Sequence, residues 1–223
     1  MSRKFKTDIH CHTKEGSYCA SEDAESTIER YIEAGYSTIV ITNHFSPFDY
    51  VKNGYHNFVD WHFDAYEKAL EVARGRINVL SGSEIKIHQF RNDDFLAIGA
   101  TREIMHSMDN FFNMSLSDIK KVLNDNNCLL IKAHPMRYGQ TMFSPDEVDG
   151  YEIYNSNTHW ARVNHVAKLW VDAVGCYNKA IVAGNDHHNR SDILRAGILT
   201  DVEIKTNDQL VEILKSNQFE AFY

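Results

Sequence analysis

The sequence is poor in proline, in paired cysteines, in long apolar runs and in clustered positive charge. It contains 3 prolines and 4 cysteines among 223 residues. No C-x-x-C pair occurs, and so few cysteines cannot form a disulfide scaffold. No run approaches the roughly 18 apolar residues of a membrane span, and the N-terminal M-S-R-K-F-K shows no apolar signal segment. These absences predict a soluble, reduced, cytoplasmic protein with no membrane partner.

The charge balance argues against a dedicated nucleic-acid binder. The formal net charge is −8 with histidines neutral, and the basic residues are scattered. Binding to nucleic acid requires a stripe of positive charge that neutralises phosphates. An apolar content of 43% is typical of a globular protein, and the length fits one domain over residues 1–223.

Short β-branched segments alternate with longer segments of helical periodicity. The predicted strands are 5–10, 37–42, 77–87, 95–100, 128–133, 151–154 and 180–183. The predicted helices are 24–34, 59–72, 116–123, 160–173 and 208–215. This alternation predicts an α/β fold with a parallel sheet, either a barrel or a doubly wound layer.

Metal-ligand side chains follow one predicted strand after another. Five histidines and two carboxylates share this placement: His10, His12, His44, Glu84, His134, Asp186 and His188. The carboxyl ends of parallel barrel strands meet at one rim, so these side chains should converge. In T-D-I-H-C-H-T both histidines should face the same side, because strand side chains alternate. Mixed imidazole and carboxylate ligands predict zinc, manganese or iron.

Five segments, taken in order, resemble the PHP family of metal-dependent phosphoesterases, named for polymerases and histidinol phosphatases. They are D-I-H-C-H-T, I-T-N-H, G-S-E, K-A-H-P-M-R and G-N-D-H-H, and the likeness covers essentially the whole chain. The resemblance implies a distorted (β/α)7 barrel, similar to a TIM barrel, with two or three divalent metals at the strand C-termini. It implies that His10, His12 and Asp186 bind one metal. Glu84 would bridge that metal to a second, which His134 also holds.

The family pattern implies a third metal held by His44 and His188, with His187 as a neighbour only. Where the family usually has T-D-H, this chain has T-N-H, which removes a carboxylate but keeps the ligand. A further ligand usually follows H-x-H, and here K-E-G-S-Y-C offers Glu15 or Cys19. The second metal often gains a histidine after the strand at 95–100. Arg102 stands near that place, and His106, four residues further on, is either displaced into the ligand role or a residue of a surface helix.

The resemblance predicts a hydrolase in which a metal-activated water attacks phosphorus. The expected substrate is a small-molecule phosphate monoester, as for histidinol phosphatase. Arg137, just beyond His134, is the first candidate for binding phosphate, followed by Lys86 and Arg162. Three alternatives stay open: a phosphodiesterase or exonuclease acting on nucleotides or short nucleic acids, a non-catalytic metal-binding domain, and hydrolysis of an amide or lactone.

Overall fold

The computed structural model describes residues 4–47, 54–87, 90, 92–140, 142–157 and 163–223. Within them a single sheet curls into a nearly closed barrel with helices around it. Its strands are β1 Phe5–Cys11, β2 Thr38–Ile41, β3 His44–Phe45, β4 Asn78–Lys86, β5 Asp94–Ile98, β6 Leu129–Lys132, β7 Gly150–Asn155, β8 Ala180–Gly184, β9 Gly197–Thr200 and β10 Glu220–Phe222. The helices are α1 Ala24–Glu33, α2 Tyr55–Ala73, α3 Arg102–His106, α4 Leu116–Asp125, α5 Asn164–Val174 and α6 Asn207–Lys215, with a 3-10 turn at Phe111–Asn113. The predicted α/β barrel class is confirmed.

The strand order along the sheet is β10-β9-β1-β2-β4-β5-β6-β7-β8, and the short β3 pairs with β4. The chain beyond β8 returns to β1, where a bridge joins Cys11 to His187. His12 N donates to His187 O at 3.0 Å, and Asp186 N donates to His10 O at 2.9 Å. These bonds bring the two ends of the barrel together beside the H-x-H motif.

The prediction of an entirely parallel sheet is wrong at β5 and β9. Strand β5 runs antiparallel to both β4 and β6, and β9 runs antiparallel to β1. The link from Lys86 to Asp94 is too short for the crossover that a parallel pair requires, which needs about a dozen residues or more. Strand β5 therefore begins at the rim where its neighbours end, which places Asp94 at that rim.

The core lies on both faces of the sheet. On β4, Leu80 packs in one cluster with Leu210 and Leu214 of α6, so this last helix covers one end of the barrel. On the other face, helices α1 and α2 pack on β2 and β4. Helix α1 begins where predicted because Asp23 caps it, accepting from Ser26 N at 2.9 Å.

Five short elements were not predicted. Strand β3, helix α3, the 3-10 turn, β9 and β10 have between two and five residues each, which is too short to establish a periodicity. Helix α2 begins at Tyr55, four residues before its predicted start, directly after Gly54 at φ 75°. The start of the helix predicted at 160–173 lies outside the described residues, and α5 begins at Asn164. Among the described residues no helix is both long and apolar enough to cross a membrane.

Because of the buried His62 on α2, we expect the free energy of unfolding to fall in acid. Its ring is buried, and Nε2 bonds Ser83 Oγ at 2.8 Å. Burial disfavours the imidazolium and lowers the pKa of His62 to about 3 from an ordinary 6.5. Between these two values the unfolded chain holds a proton that the folded chain does not. The free energy of unfolding therefore falls as the pH falls from 6.5 towards 3, and the stabilisation is complete above 6.5.

Denaturant unfolding of the metal-free protein at a series of acidic pH values measures this slope. We expect His62→Gln to flatten it, whereas His165→Gln, at an exposed position on α5, should leave it unchanged. An equal slope in all three proteins would show that His62 does not contribute to the acid sensitivity.

Candidate metal centre

The H-x-H histidines lie at the end of β1, where the strand register is irregular. The pairing of β1 with β2 shifts between Asp8 and Cys11. Both rings are fully buried, and His10 Nε2 lies 3.1 Å from His12 Nε2. Two ring nitrogens that face each other inside a protein need either a proton or a cation between them.

All seven predicted metal ligands converge at one rim of the barrel. They form three overlapping groups whose ligand atoms lie within 4.8 Å of one another. The groups are His10, His12 and Asp186; His10, Glu84 and His134; and His12, His44 and His188. The ligand-type side chains at the strand ends therefore lie together, as expected. Each predicted metal corresponds to one of the three groups.

Glu84 on β4 lies at the centre of the cluster. Its Oε1 is 2.9 Å from His134 Nε2, and its Oε2 is 2.8 Å from His44 Nδ1 and 3.4 Å from His12 Nε2. Burial alone would raise the pKa of Glu84, but His44 and His10 outweigh burial and hold the pKa well below its usual value. The side chain is therefore a carboxylate at neutral pH. It has two oxygens available to different groups.

The donor set fits a metal ion. Glu84 Oε2 is buried without a hydrogen-bond donor of suitable geometry among the described residues. Burial, His188 and His44 lower the pKa of His12 well below its usual value, so its ring stays neutral, as coordination requires. Imidazole nitrogens and carboxylate oxygens in this proportion suit zinc, manganese or iron.

Glu152 on β7 orients two of the histidines and was given no role by the sequence analysis. Its Oε1 lies 2.9 Å from His10 Nδ1, and its Oε2 accepts from His134 N at 2.8 Å and from Asn155 Nδ2 at 3.1 Å. A Cβ on Gly184 of β8 would stand 2.4 Å from Glu152 Oε1, so the glycine leaves room for this carboxylate. The signal was present in the sequence: a glutamate inside a short apolar strand, E-I-Y-N, is costly to bury unless it has partners.

We expect Glu152→Gln to weaken metal binding by about tenfold to a hundredfold, the usual cost of losing a partner that orients a ligand. The carboxylate fixes the His10 ring with Nε2 towards the cluster, and an amide holds it less strongly. Competition with a chelator measures the affinity. Glu147→Gln, at an exposed position before the same strand, is the matched control. Unchanged affinity in Glu152→Gln would restrict Glu152 to a purely structural role.

Ser17 and Asn43 orient the other histidine of the motif. His12 Nδ1 lies 3.0 Å from Ser17 Oγ, which also accepts from His44 N at 3.0 Å. Asn43 Oδ1 accepts from Thr13 N at 2.8 Å and from Ser17 Oγ at 3.0 Å, and its Nδ2 donates to Thr13 Oγ1 at 3.1 Å. An asparagine can both accept and donate at this position, whereas a carboxylate could only accept.

The structure does not bring Glu15 or His106 to the cluster. Both carboxylate oxygens of Glu15 accept from Ala24 N at 3.1 Å, so this side chain binds the first turn of α1. His106 lies on α3 at the outer surface of α2, where Nε2 is 2.9 Å from Asp60 Oδ1. Because β5 is antiparallel, the chain leaves it at the far rim and reaches His106 along the outside of the barrel. Arg102 also pairs with Asp60, at 2.8 Å.

Of the two candidates in K-E-G-S-Y-C, Cys19 is the one that interacts with histidines of the cluster. Burial alone would raise the pKa of its thiol, but contacts with His188 and His44 lower the pKa to about 6. His187, taken as a neighbour only, points away, with Nε2 2.8 Å from Glu22 Oε2.

Cationic side chains surround Asp94 beside the cluster. Lys86 Nζ lies 2.5 Å from Asp94 Oδ1, and Arg137 Nη1 lies 3.8 Å from Asp94 Oδ2. Gln140 connects this group to the cluster, with Nε2 3.2 Å from His134 Nδ1 and 3.4 Å from Asp94 Oδ2. Two of the three predicted phosphate-binding residues thus share one carboxylate. The third, Arg162, lies outside the described residues.

A fully buried lysine completes this charged group. Lys132 Nζ donates to Gln140 Oε1 at 2.8 Å and lies 3.4 Å from Asp93 Oδ1. Burial lowers the pKa of Lys132 to about 8, which leaves it positively charged at neutral pH.

The backbone at the rim is also constrained, since His134, Met136 and Asp186 have positive φ values of 24°, 73° and 52°. Such conformations persist only where surrounding contacts impose them, often at functional sites.

Fold and site together define an α/β barrel protein with a buried histidine–carboxylate cluster at the rim where most strands end. No family model and no curated protein matches the sequence. The solved structures that share the fold include two that match almost the whole chain. PsfC from Pseudomonas syringae PB-5123 has a TM-score of 0.65 at 11% identity, covering 94% of this chain and 88% of PsfC. A Bifidobacterium adolescentis protein named "putative metal-dependent phosphoesterase" has a TM-score of 0.51 at 14% identity, covering 96% of this chain and 97% of that one.

Proposed function

We propose that this protein is a metal-dependent phosphatase that hydrolyses a phosphate monoester of a small metabolite. The observation that carries the proposal is the set of three ligand groups around the buried Glu84, with Lys86 and Arg137 beside them. The motif resemblance to the PHP family supports it. So does the fold shared with a protein whose name includes metal-dependent phosphoesterase.

Two or three divalent ions would be held by the seven converging residues, and they would supply a hydroxide near neutral pH and neutralise phosphoryl oxygens. The chain's own side chains would orient the ligands and bind the phosphate. Glu152 keeps the His10 ring in place, and Ser17 does the same for His12. Arg137 and Lys86 provide positive charge for the phosphate oxygens at the rim.

The ligand cluster, together with the positively charged Lys86 and Arg137 beside it, favours a phosphate ester as substrate over the alternatives. Hydrolysis of an amide or lactone needs no cationic group beside the metals, whereas a phosphoryl dianion does. A purely regulatory domain would not need seven converging ligands together with the partners that orient the H-x-H histidines. A phosphodiesterase acting on nucleic acid would be expected to present a longer basic surface than this acidic chain supplies.

Elemental analysis beside activity assays tests the proposal. We expect two or three metals per chain, and release of phosphate from a panel of monoesters that stops on chelation and returns with zinc, manganese or iron. Diester and nucleotide substrates belong in the same panel, at several salt concentrations, because nucleic-acid binding weakens steeply with salt. Metal without turnover of any phosphate ester would contradict the proposal and favour a binding role or another hydrolysis.

A further inference from the structure

Two histidines outside the cluster face each other between helices α2 and α3. His56 Nδ1 lies 2.8 Å from His106 Nδ1, and the two ring centroids are 5.0 Å apart. The side chain of His56 is 61% exposed and that of His106 is 28% exposed, so a cation from solvent can reach both rings. Next to them in the chain, Tyr55 Oη donates to Met105 O at 2.7 Å. This bond between the two helices keeps the rings adjacent.

A carboxylate lies against the far nitrogen of each ring. Asp60 Oδ1 is 2.9 Å from His106 Nε2, and Asp109 Oδ1 is 3.3 Å from His56 Nε2. Because a carboxylate can only accept a hydrogen bond, it favours the tautomer in which Nε2 carries the proton. Both Nδ1 atoms then present lone pairs to each other. Two acceptors at this separation repel each other unless a cation lies between them.

The surroundings of this histidine pair carry an excess of negative charge. Arg102 stands beside the pair, and three carboxylates contact its guanidinium: Asp60 at 2.8 Å, Asp64 at 2.7 Å and Glu67 at 2.8 Å. Together with Asp109, four carboxylates face one guanidinium. This balance attracts a divalent cation, and two imidazole nitrogens are the donors to bind it.

We propose that His56 and His106 bind a divalent transition metal through their Nδ1 atoms, at a surface site separate from the barrel rim. Each ring binds the ion with one nitrogen and holds a carboxylate with the other, the usual arrangement of metal-binding histidines. Imidazole donors select copper, nickel or zinc over magnesium and calcium, and water fills the remaining positions.

The separation of the two nitrogens suits this chemistry. Two nitrogens at about 2.0 Å from one metal are about 2.8–3.3 Å apart, depending on whether the site is square or tetrahedral. The observed 2.8 Å corresponds to the square arrangement that copper(II) and nickel(II) prefer. Because His56 is the more exposed of the two, its ring can turn to direct the lone pair at the ion.

Copper(II) titration of zinc-loaded, dialysed protein gives a readout that does not depend on activity. Copper binds more tightly than zinc to a given nitrogen site, so it displaces any zinc that remains between the two histidines. We expect wild type and His165→Gln to take up about one equivalent more copper than His56→Gln or His106→Gln. His165 is exposed on α5 and serves as the matched control. Electron paramagnetic resonance should show nitrogen coupling that both site variants lose.

Asp109→Asn tests the carboxylate behind the ring of His56. We expect it to weaken copper binding at this site by about tenfold to a hundredfold, the usual cost of losing a partner that orients a ligand. Competition with a chelator measures the affinity. Asp201→Asn, the same change at an exposed position after β9, should leave the affinity unchanged.

Equal copper uptake and equal spectra in wild type, His56→Gln and His106→Gln would overturn the proposal and leave the pair as two histidines that share a proton. The inference is independent of the proposed function. Phosphatase activity with equal copper uptake in all four proteins would refute the surface site alone. Loss of one equivalent in the two site variants of a protein that hydrolyses no phosphate ester would support the surface site and contradict the phosphatase proposal.

Discussion

Replacing Glu84 by glutamine is expected to release metal and to lower phosphate hydrolysis by on the order of a thousandfold or more. The carboxylate is buried and faces His10, His12, His44 and His134, so members of all three ligand groups approach it. An amide has the same shape but no charge, and it cannot bridge two cations. Metal content and initial rates on the best phosphate ester give the two measurements.

The control for this variant is Glu71→Gln, the same chemical change on the exposed face of α2. We expect Glu71→Gln to keep its metal and its rate. Circular dichroism of Glu84→Gln should match that of the metal-free wild type, because the side chain is held in place by the site and contributes little to the apolar core. Full metal content and full activity in Glu84→Gln would remove Glu84 from the centre of the proposed mechanism.

The position of the candidate ligands could be predicted because a simple rule governs it. Parallel strands that follow one another through helices end at a common rim, so His44, Glu84 and His134 meet although 90 residues separate the first from the last. The rule needs only the identity of strands and the residue type after each one. Both are visible in the sequence as short β-branched runs followed by histidine or carboxylate.

The features that could not be predicted depend on chain direction and on contacts across the barrel. Strand β5 runs against its neighbours, and this reversal brings Asp94 to the rim and takes the chain after β5, including His106, to the outside. In the sequence, the only sign of this reversal was the short link between Lys86 and Asp94. The partnership of Glu152 with His10 joins residues 142 positions apart, which no local pattern records. Asn43 is similar, because its two roles appear only when Thr13 and Ser17 fold back over it.

The cationic group at the rim gives the second large expected effect. Arg137→Ala should lower kcat/KM for a phosphate monoester by about tenfold to a hundredfold, since a charged hydrogen bond contributes on the order of 1.5–3 kcal/mol and 1.4 kcal/mol is a factor of ten. The side chain is about one-third exposed, with Nη1 3.8 Å from Asp94 Oδ2. A bound phosphate oxygen would compete with Asp94 for the guanidinium.

Inhibition by inorganic phosphate separates this contact from a general loss of structure. If Arg137 binds the phosphate, its removal raises the inhibition constant for phosphate by a factor similar to the loss in kcat/KM, while the metal content stays unchanged. Arg76→Ala, which removes an exposed arginine paired with Glu29 near the end of α2, should change neither quantity. Because Lys86 shares the same carboxylate, Lys86→Ala should reproduce part of the effect. Unaltered phosphate inhibition in Arg137→Ala would exclude this arginine from the substrate site and shift the phosphate contact to Lys86.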